Sequence, residues 1–330
     1  MVALAVPGLG GLVRSELRAL DGVTVGQYGN DSRADLVLFE RANDARVDDI
    51  RTAEDLLVEI GRGRRSDGDN PRWLAGRIWK GDRARRAIGS RVDGRATFRV
   101  IVRVLQERSF RRTALREAFT DLIQRDCPRW SFADPAEIEI WVLEYRPGAF
   151  VAGVRVSDVR MRQHGGRDSE RRGALRPTVA AAMVGLAGKV RGVLVDPCCG
   201  SGTILEEAAG AGWRAAGSDI DPAAVRATVR NARVPVALAD ARRLPLADGA
   251  VAACVSNLPF GQQYEVEGDP TVWLTRVLAE MTRVTRPKGR VVVLVPDVAK
   301  RAIPKTLREL RRAPIVLLGT KTTIWSYERT

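Results

Sequence analysis

Asp196, Asp219, Asp240 and Asn257 each stand at the end of a short apolar run, and three of the four bring a carboxylate to that end. Asp196 opens the stretch DPCCGSGT, which joins GVLV to ILEEAAGAG. Gly200 and Gly202 let the backbone approach a ligand closely at a strand-to-helix turn. A phosphate loop would need a lysine before Ser or Thr, and none is present. A dinucleotide fingerprint would need a third glycine where Leu205 stands. What remains is D-x-x-x-G-x-G, a turn with an acid at its start. Asp219 follows 23 residues later, in GSDIDP, where a carboxylate suits a bidentate hydrogen bond to ribose hydroxyls. A single acid after a strand is commonly a cap, but three in register point to one ligand-binding edge.

The stretch SNLPFG, Ser256 to Gly261, follows a further apolar run at that same edge. An exocyclic amine on a nucleobase is a poor nucleophile, because its lone pair is delocalised into the ring. Acceptors aimed at its two hydrogens favour a pyramidal nitrogen. The Asn257 side-chain oxygen supplies one acceptor and the Leu258 carbonyl another, since Pro259 restricts the residue before it to extended backbone. Phe260 offers a face for base stacking, worth roughly 1–3 kcal/mol. No strong base is required; positioning and preorganised dipoles carry the rate.

The glycine turn resembles motif I of class I methyltransferases, which bind S-adenosylmethionine. SNLPFG resembles their motif IV, [N/D]-P-P-[Y/F], with Leu258 in place of the first proline. That departure points away from adenine-N6 enzymes. It is similar to methyltransferases that carry a THUMP RNA-binding domain and methylate guanine N2. RRGALRPTVAAAMVGLA matches the motif X of that family. VPGLGGLVRSEL and IRTAEDLLVEIG resemble its ferredoxin-like leader, and FRVIVRV with the helix after it resembles THUMP itself.

The resemblance implies S-adenosylmethionine as cofactor, with Asp196 near the ammonium of its amino-acid end and Asp240 accepting from the adenine amino group. The implied cofactor set is Pro177, Thr178, Asp196, Cys198, Gly200, Ser201, Gly202, Thr203, Asp219, Ile220, Asp240, Ala241 and Asn257. The implied catalytic set is Asn257, Leu258, Pro259 and Phe260, with no metal. The implied reaction is methylation of a guanosine N2 in tRNA, at an acceptor-stem position of the position-6 type, with the THUMP unit holding the tRNA 3′ end. Two other readings stay open: an amino-methyltransferase acting on rRNA or DNA, and a non-catalytic RNA-binding protein with a vestigial cofactor site. Carbon methylation by a cysteine thiolate is a third mechanism, but Cys198 and Cys199 lie in the turn and Cys254 within a strand.

These residues need elements to hold them. From about residue 174, apolar runs (GVLVD, AAGSD, VALAD, AACVS, VVVLV) alternate with helical segments, the pattern of a doubly wound, mostly parallel sheet. PIVLLG and TTIWSYE close it as an antiparallel edge hairpin. The N-terminal half reads as α+β. It has a strand, a helix and two strands, then a helix over VDDIRTAEDLLVEIG, a linker over 62–72 and a partly helical stretch over 73–92. ATFRVIVRVL, EIEIWVLEY and AFVAGVRVS alternate as strands, and RRTALREAFTDLIQRD is an amphipathic helix. The fold class is thus α/β. A C-terminal Rossmann-like class I methyltransferase unit follows ferredoxin-like and THUMP-like parts. The expected domains are 1–62 ferredoxin-like, 63–158 THUMP-like, 159–190 linker and motif X helix, and 191–330 methyltransferase. Trp73 and Trp79 are expected in the core. On ATFRVIVRVL, Phe98, Val100 and Val102 share one face and Arg99 and Arg103 the other.

The 330 residues, 45% hydrophobic, suffice for two or three cored domains. No run of roughly eighteen apolar residues occurs, so no membrane span is expected. The N-terminus lacks the basic start and cleavage site of a signal peptide, and a cytoplasmic protein is expected. Four cysteines without a C-x-x-C pair, and a single histidine, exclude the usual zinc patterns. His164 alone cannot support a Ser-His-Asp site, and is expected as a linker residue or phosphate contact. The formal charge is +14, and residues 62 to 116 hold 17 Arg or Lys against 5 Asp or Glu. That concentration points to a nucleic acid as partner, and the resemblance implies that it is RNA, most simply tRNA. Monomer and homodimer stay open.

Overall fold

The computed structural model describes residues 1–31, 33–65, 70–89, 95–107, 110–164, 174–189, 192–259, 268–296, 298, 300–317 and 319–330. The chain forms two compact units, Met1–Met161 and Arg162–Thr330.

In unit 1 the elements run β1 (Val2–Ala5), α1 (Gly10–Arg18), β2 (Val23–Asn30), β3 (Asp35–Arg41), β4 (Asp55–Arg64), α2 (Pro71–Ile78), α3 (Gly81–Ile88), β5 (Ala96–Arg103), α4 (Arg112–Asp126), β6 (Trp130–Phe132), β7 (Ile138–Arg146) and β8 (Ala149–Arg155). A short helix, α5 (Val159–Gln163), spans the division between units. The eight strands make one sheet, in the order β2-β3-β1-β4-β8-β7-β5-β6. On one face Leu74, Ile78, Leu115 and Phe119 of the helices pack on Phe98, Ile140 and Phe150. A second cluster gathers Val2, Leu36, Leu38, Leu57, Trp141 and Val151.

Three expectations are corrected here. The helix predicted over VDDIRTAEDLLVEIG is absent, and its second half is the central strand β4, paired with β1 and β8. Leu57 belongs to one cluster and Ile60 to the other. A strand covered on both faces loses the polar–apolar alternation, and its Leu56, Leu57 and Ile60 then imitate a helical stripe. The separate bodies expected on either side of residue 62 are instead one sheet, and that boundary falls inside β4. A Cβ on Gly61 would collide with the Ile78 carbonyl, so only glycine lets α2 lie this close to β4. Trp79 is buried as expected, whereas Trp73 is 41% exposed. Asn70 caps α2 by accepting the Trp73 N–H at 2.8 Å, and this turns Trp73 outward on the first turn.

Unit 2 contains α6 (Pro177–Leu186), β9 (Val193–Asp196), α7 (Thr203–Gly210), β10 (Arg214–Asp219), α8 (Pro222–Ala232), β11 (Val236–Leu238), β12 (Val251–Asn257), α9 (Pro270–Val284), β13 (Thr285–Val295), β14 (Leu307–Leu317) and β15 (Thr320–Arg329). The sheet order is β11-β10-β9-β12-β13-β15-β14. The first five are parallel, and β15 runs antiparallel between β13 and β14, which gives the edge hairpin the sequence announces. Asp221 and Asp269 cap α8 and α9 through the N–H groups of Ala223 and Thr271, and a proline opens each helix. From β9 the chain winds outward to β10 and β11, then returns to β12 on the other side. The strand order therefore reverses between β9 and β12. In open α/β sheets the crevice beyond the carboxyl ends at such a reversal is where ligands bind.

Candidate active site

Asp196 ends β9 and Asn257 ends β12, so the reversal brings the two motifs together at one edge. The glycine turn starts from Asp196. Gly200 and Gly202 both adopt positive φ, at 57° and 89°, and Gly202 is the N-cap of α7. A side chain at either position would be strained, so the two glycines are what let the strand turn directly into the helix.

The carboxylates are held in three different ways. Asp196 is buried, and its Oδ1 accepts the Ser256 hydroxyl at 2.6 Å and the Cys198 N–H at 3.0 Å. Burial pushes its pKa up to about 7, against the pull of those two donors. Asp219 ends β10 and reaches back to the turn. Its Oδ2 accepts the Gly200 N–H at 2.9 Å and its Oδ1 the Asp221 N–H at 3.0 Å. Asp240 follows β11 and is clasped by Arg242, with Nη2 to Oδ2 at 2.7 Å, which lowers its pKa. Ala241 beside it is buried, while Ile220, next to Asp219, is 68% exposed. An apolar side chain left bare at a strand tip is suited to cover a flat ring.

Ser201 and Thr203 are buried within the turn and the first residue of α7. Pro177 opens α6, which packs against α7 and β13. Thr178 is wholly buried, and its Oγ1 has no hydrogen-bond partner. Asn257 presents a buried Oδ1 that likewise has none. Leu258 is buried and Pro259 half-buried. Phe260 lies outside the described residues. Buried polar atoms are nearly always paired, so these two orphans, at residues singled out by sequence, are candidates for bonding to a ligand.

Burial pushes the thiols of Cys199 and Cys254 up to about 12 and that of Cys198 well above its usual value. Burial thus disfavours the thiolate that carbon methylation would require. His164, expected as a linker residue or phosphate contact, has a buried side chain. Its Nδ1 lies 2.7 Å from Glu207 Oε1 of α7, with both side chains buried. Ser256 is the residue that sequence reasoning passed over. Its only signal is a hydroxyl one position before Asn257, and its partner is 60 residues away.

Among the described residues, no group of three or more His, Cys, Asp or Glu could hold a metal ion, and no helix is long and apolar enough to cross a membrane.

Residues 164–314 match the family model described as RMKL-like, methyltransferase domain. The U6 snRNA (guanine-N(2))-methyltransferase THUMPD2 of Bos taurus is 34% identical over 134 residues, 37% of this chain and 26% of that protein. The tRNA (guanine(10)-N2)-dimethyltransferase of Methanothermobacter thermautotrophicus is 33% identical over 129 residues, 37% of this chain and 38% of that protein. The chain thus spans well under half the length of these curated relatives. The crystal structure of TrmN from Thermus thermophilus has the same fold throughout, with a TM-score of 0.78 over 100% of this chain and 99% of that one, at 22% identity. The structure of SMU.472 complexed with SAH gives 0.69 over 100% and 97%, at 14% identity. The fold is that of these solved methyltransferase structures, and residues 164–314 match a methyltransferase-domain model.

Proposed function

We propose that this chain is an S-adenosylmethionine-dependent RNA methyltransferase that modifies the exocyclic N2 of a guanosine, with tRNA as substrate and an acceptor-stem position as target. The observation that carries this reading is the buried, unpartnered Oδ1 of Asn257 at the carboxyl end of β12, beside the glycine turn. The guanine-N2 relatives add the choice of base and of RNA.

When bound, S-adenosylmethionine supplies an activated methyl group. The chain supplies the rest. The glycine turn leaves room for the amino-acid end, with the Asp196 carboxylate behind it. Asp219 receives ribose hydroxyls with the lone pairs that Gly200 and Asp221 leave free. Asp240 and the edge of the exposed Ile220 face the adenine. Thr178 Oγ1 and Asn257 Oδ1 are the two orphaned groups that such a ligand and its partner base would satisfy. Asn257 accepts one hydrogen of the guanine amine and the Leu258 carbonyl the other, so the nitrogen lone pair turns toward the methyl group.

A duplex-buried guanine must be flipped out, at a cost of a few kcal/mol. The helices of unit 1 offset that through phosphate contacts. Arg72, Arg77, Lys80, Arg83, Arg85 and Arg86 are exposed on α2, α3 and the link between them, around the exposed Trp73. The Arg77 guanidinium sits 4.6 Å from the Trp73 ring centroid, an aromatic–cation pair of the kind that stacks on bases.

The test is incubation with radiolabelled S-adenosylmethionine and separate pools of unmodified tRNA, rRNA and small nuclear RNA, followed by nucleoside analysis. N2-methylguanosine in tRNA, lost with Asn257→Ala, supports the reading. Label in rRNA or small nuclear RNA with tRNA inert would replace the substrate. Label in adenosine or cytidine would overturn the chemistry.

A further inference from the structure

Ser256 has no part in the chemistry above, yet its position is specific. The hydroxyl is wholly buried and donates to Asp196 Oδ1 at 2.6 Å. Strands β9 and β12 are parallel neighbours, with Cys254 opposite Val195. One step on, Asp196 at the end of β9 falls level with Val255, and the Ser256 hydroxyl reaches it from one residue further along β12. The next residue along β12 is Asn257. One hydrogen bond thus ties the first residue of the glycine turn to the strand that carries the proposed amine acceptor.

A buried carboxylate with no cation beside it is costly to ionise. The groups that face Asp196 make this worse or leave it unchanged. Asp219 of β10 is another anion, and the Cys198, Cys199 and Cys254 thiols are neutral. Among the described residues, the Ser256 hydroxyl and the Cys198 amide are the groups that pull its pKa down, against the burial that raises it to about 7. Removing the hydroxyl would push the proton further onto the carboxyl, because a donor to the charged form is lost.

We propose that Ser256 is a positioning residue for cofactor recognition: its hydroxyl orients the Asp196 carboxylate at the glycine turn, and that carboxylate selects ligands with a cationic amino-acid end. The inference rests on the methyl-donor reading of the crevice. It makes the discrimination between S-adenosylmethionine and a plain thionucleoside depend on a residue of β12, not of the turn.

The experiment measures dissociation constants by calorimetry on the full chain at pH 7. The ligands are S-adenosylmethionine and 5′-methylthioadenosine, which keeps the nucleoside and lacks the amino-acid end. The proteins are wild type, Ser256→Ala, Asp196→Asn and the double variant. Wild type is expected to prefer S-adenosylmethionine. In Ser256→Ala that preference falls about fivefold at pH 7, the loss of ionised carboxylate expected for a rise of roughly one pKa unit, while 5′-methylthioadenosine binds within about twofold of wild type. In the Asp196→Asn background, Ser256→Ala adds nothing further to the loss, as a shared pathway requires. On the acid side, wild-type affinity for S-adenosylmethionine weakens as pH falls through about 7. In Ser256→Ala the same limb lies at higher pH, because Asp196 is neutral over a wider range. Equal weakening of both ligands, an unchanged preference, or additive effects in the double variant would each overturn the role of Ser256 while leaving the cofactor reading intact. Wild type binding neither adenosine ligand would overturn the cofactor reading, and this inference with it.

Discussion

In the sheet of unit 1 the buried carboxylates are saturated. Asp35 Oδ2 takes the N–H groups of Gly8 and Gly10 at 2.9 and 2.8 Å. Asp31 takes those of Arg33 and Ala34 and faces Arg103 at 3.3 Å. Glu144 takes Arg65 at 3.2 Å and the N–H groups of Leu105 and Gly148 at 2.8 and 2.7 Å. In unit 2, Asn257 Oδ1 and Thr178 Oγ1 are just as deeply buried and have nothing. An unpaired buried polar group costs about 1–3 kcal/mol. One sheet uses its buried polar groups to hold its own loops. The other leaves an acceptor unmatched on Asn257, at the carboxyl end of β12 where its strand order reverses, as a ligand site requires.

Removing a partner in unit 1 should therefore be felt as stability, and in unit 2 as activity. The largest expected effect is Glu144→Ala, which leaves the buried Arg65 guanidinium uncompensated. Unit 1 should lose about 3–5 kcal/mol, read from the midpoint of urea unfolding followed by circular dichroism. A loss below about 1 kcal/mol would break the contrast. Next comes Asn257→Ala, where single-turnover methyl transfer should slow by about 10²–10³-fold, as for removal of a preorganised polar contact. Its unfolding midpoint should hold or rise, since an unsatisfied acceptor is removed. Strong destabilisation would mean that Asn257 is structural after all.

The contrast extends inside unit 1, between arginines on strands and arginines on helices. Arg99 on β5 is engaged by Glu139 and by Asp134 at 2.5 Å, and Arg103 stacks on Trp141 at 4.5 Å while facing Asp31. The basic strand face inferred from alternation is therefore largely neutralised. The helical surface around Trp73 is the exposed one. Trp73→Ala should weaken RNA binding by about 1–3 kcal/mol in a filter assay at constant salt. The smallest effect should come from charge alone: Arg83→Gln should reduce the salt slope of RNA affinity by about 1, whereas Arg99→Gln should leave that slope unchanged. A slope change with Arg99→Gln would return the strand face to the RNA-binding surface.

The parallel sheet of unit 2 could be read from the sequence, because each strand is a short apolar run bounded by a turn whose glycine, proline or aspartate sits within a few residues of it. Asp196, Gly200, Gly202, Asp219 and Asn257 were legible for the same reason, as punctuation at strand ends. The central strand β4 was not, because burial on both faces erases alternation. The exposure of Trp73 was not, since Leu74, Ile78 and Trp79 around it do enter the core. His164 gave no hint of its seat beside Glu207, 43 residues on.

Local residue order settled where the strands turn, which turns can admit a ligand and where an amide stands at a strand tip, because turn chemistry and periodicity act over a few residues. Folding alone settled which charges are free and which are already matched. Arg103 meets Asp31 across 72 residues, and Ser256 meets Asp196 across 60. Those pairings depend on strand order in the sheet, and strand order is fixed only when apolar faces far apart in the chain are buried together.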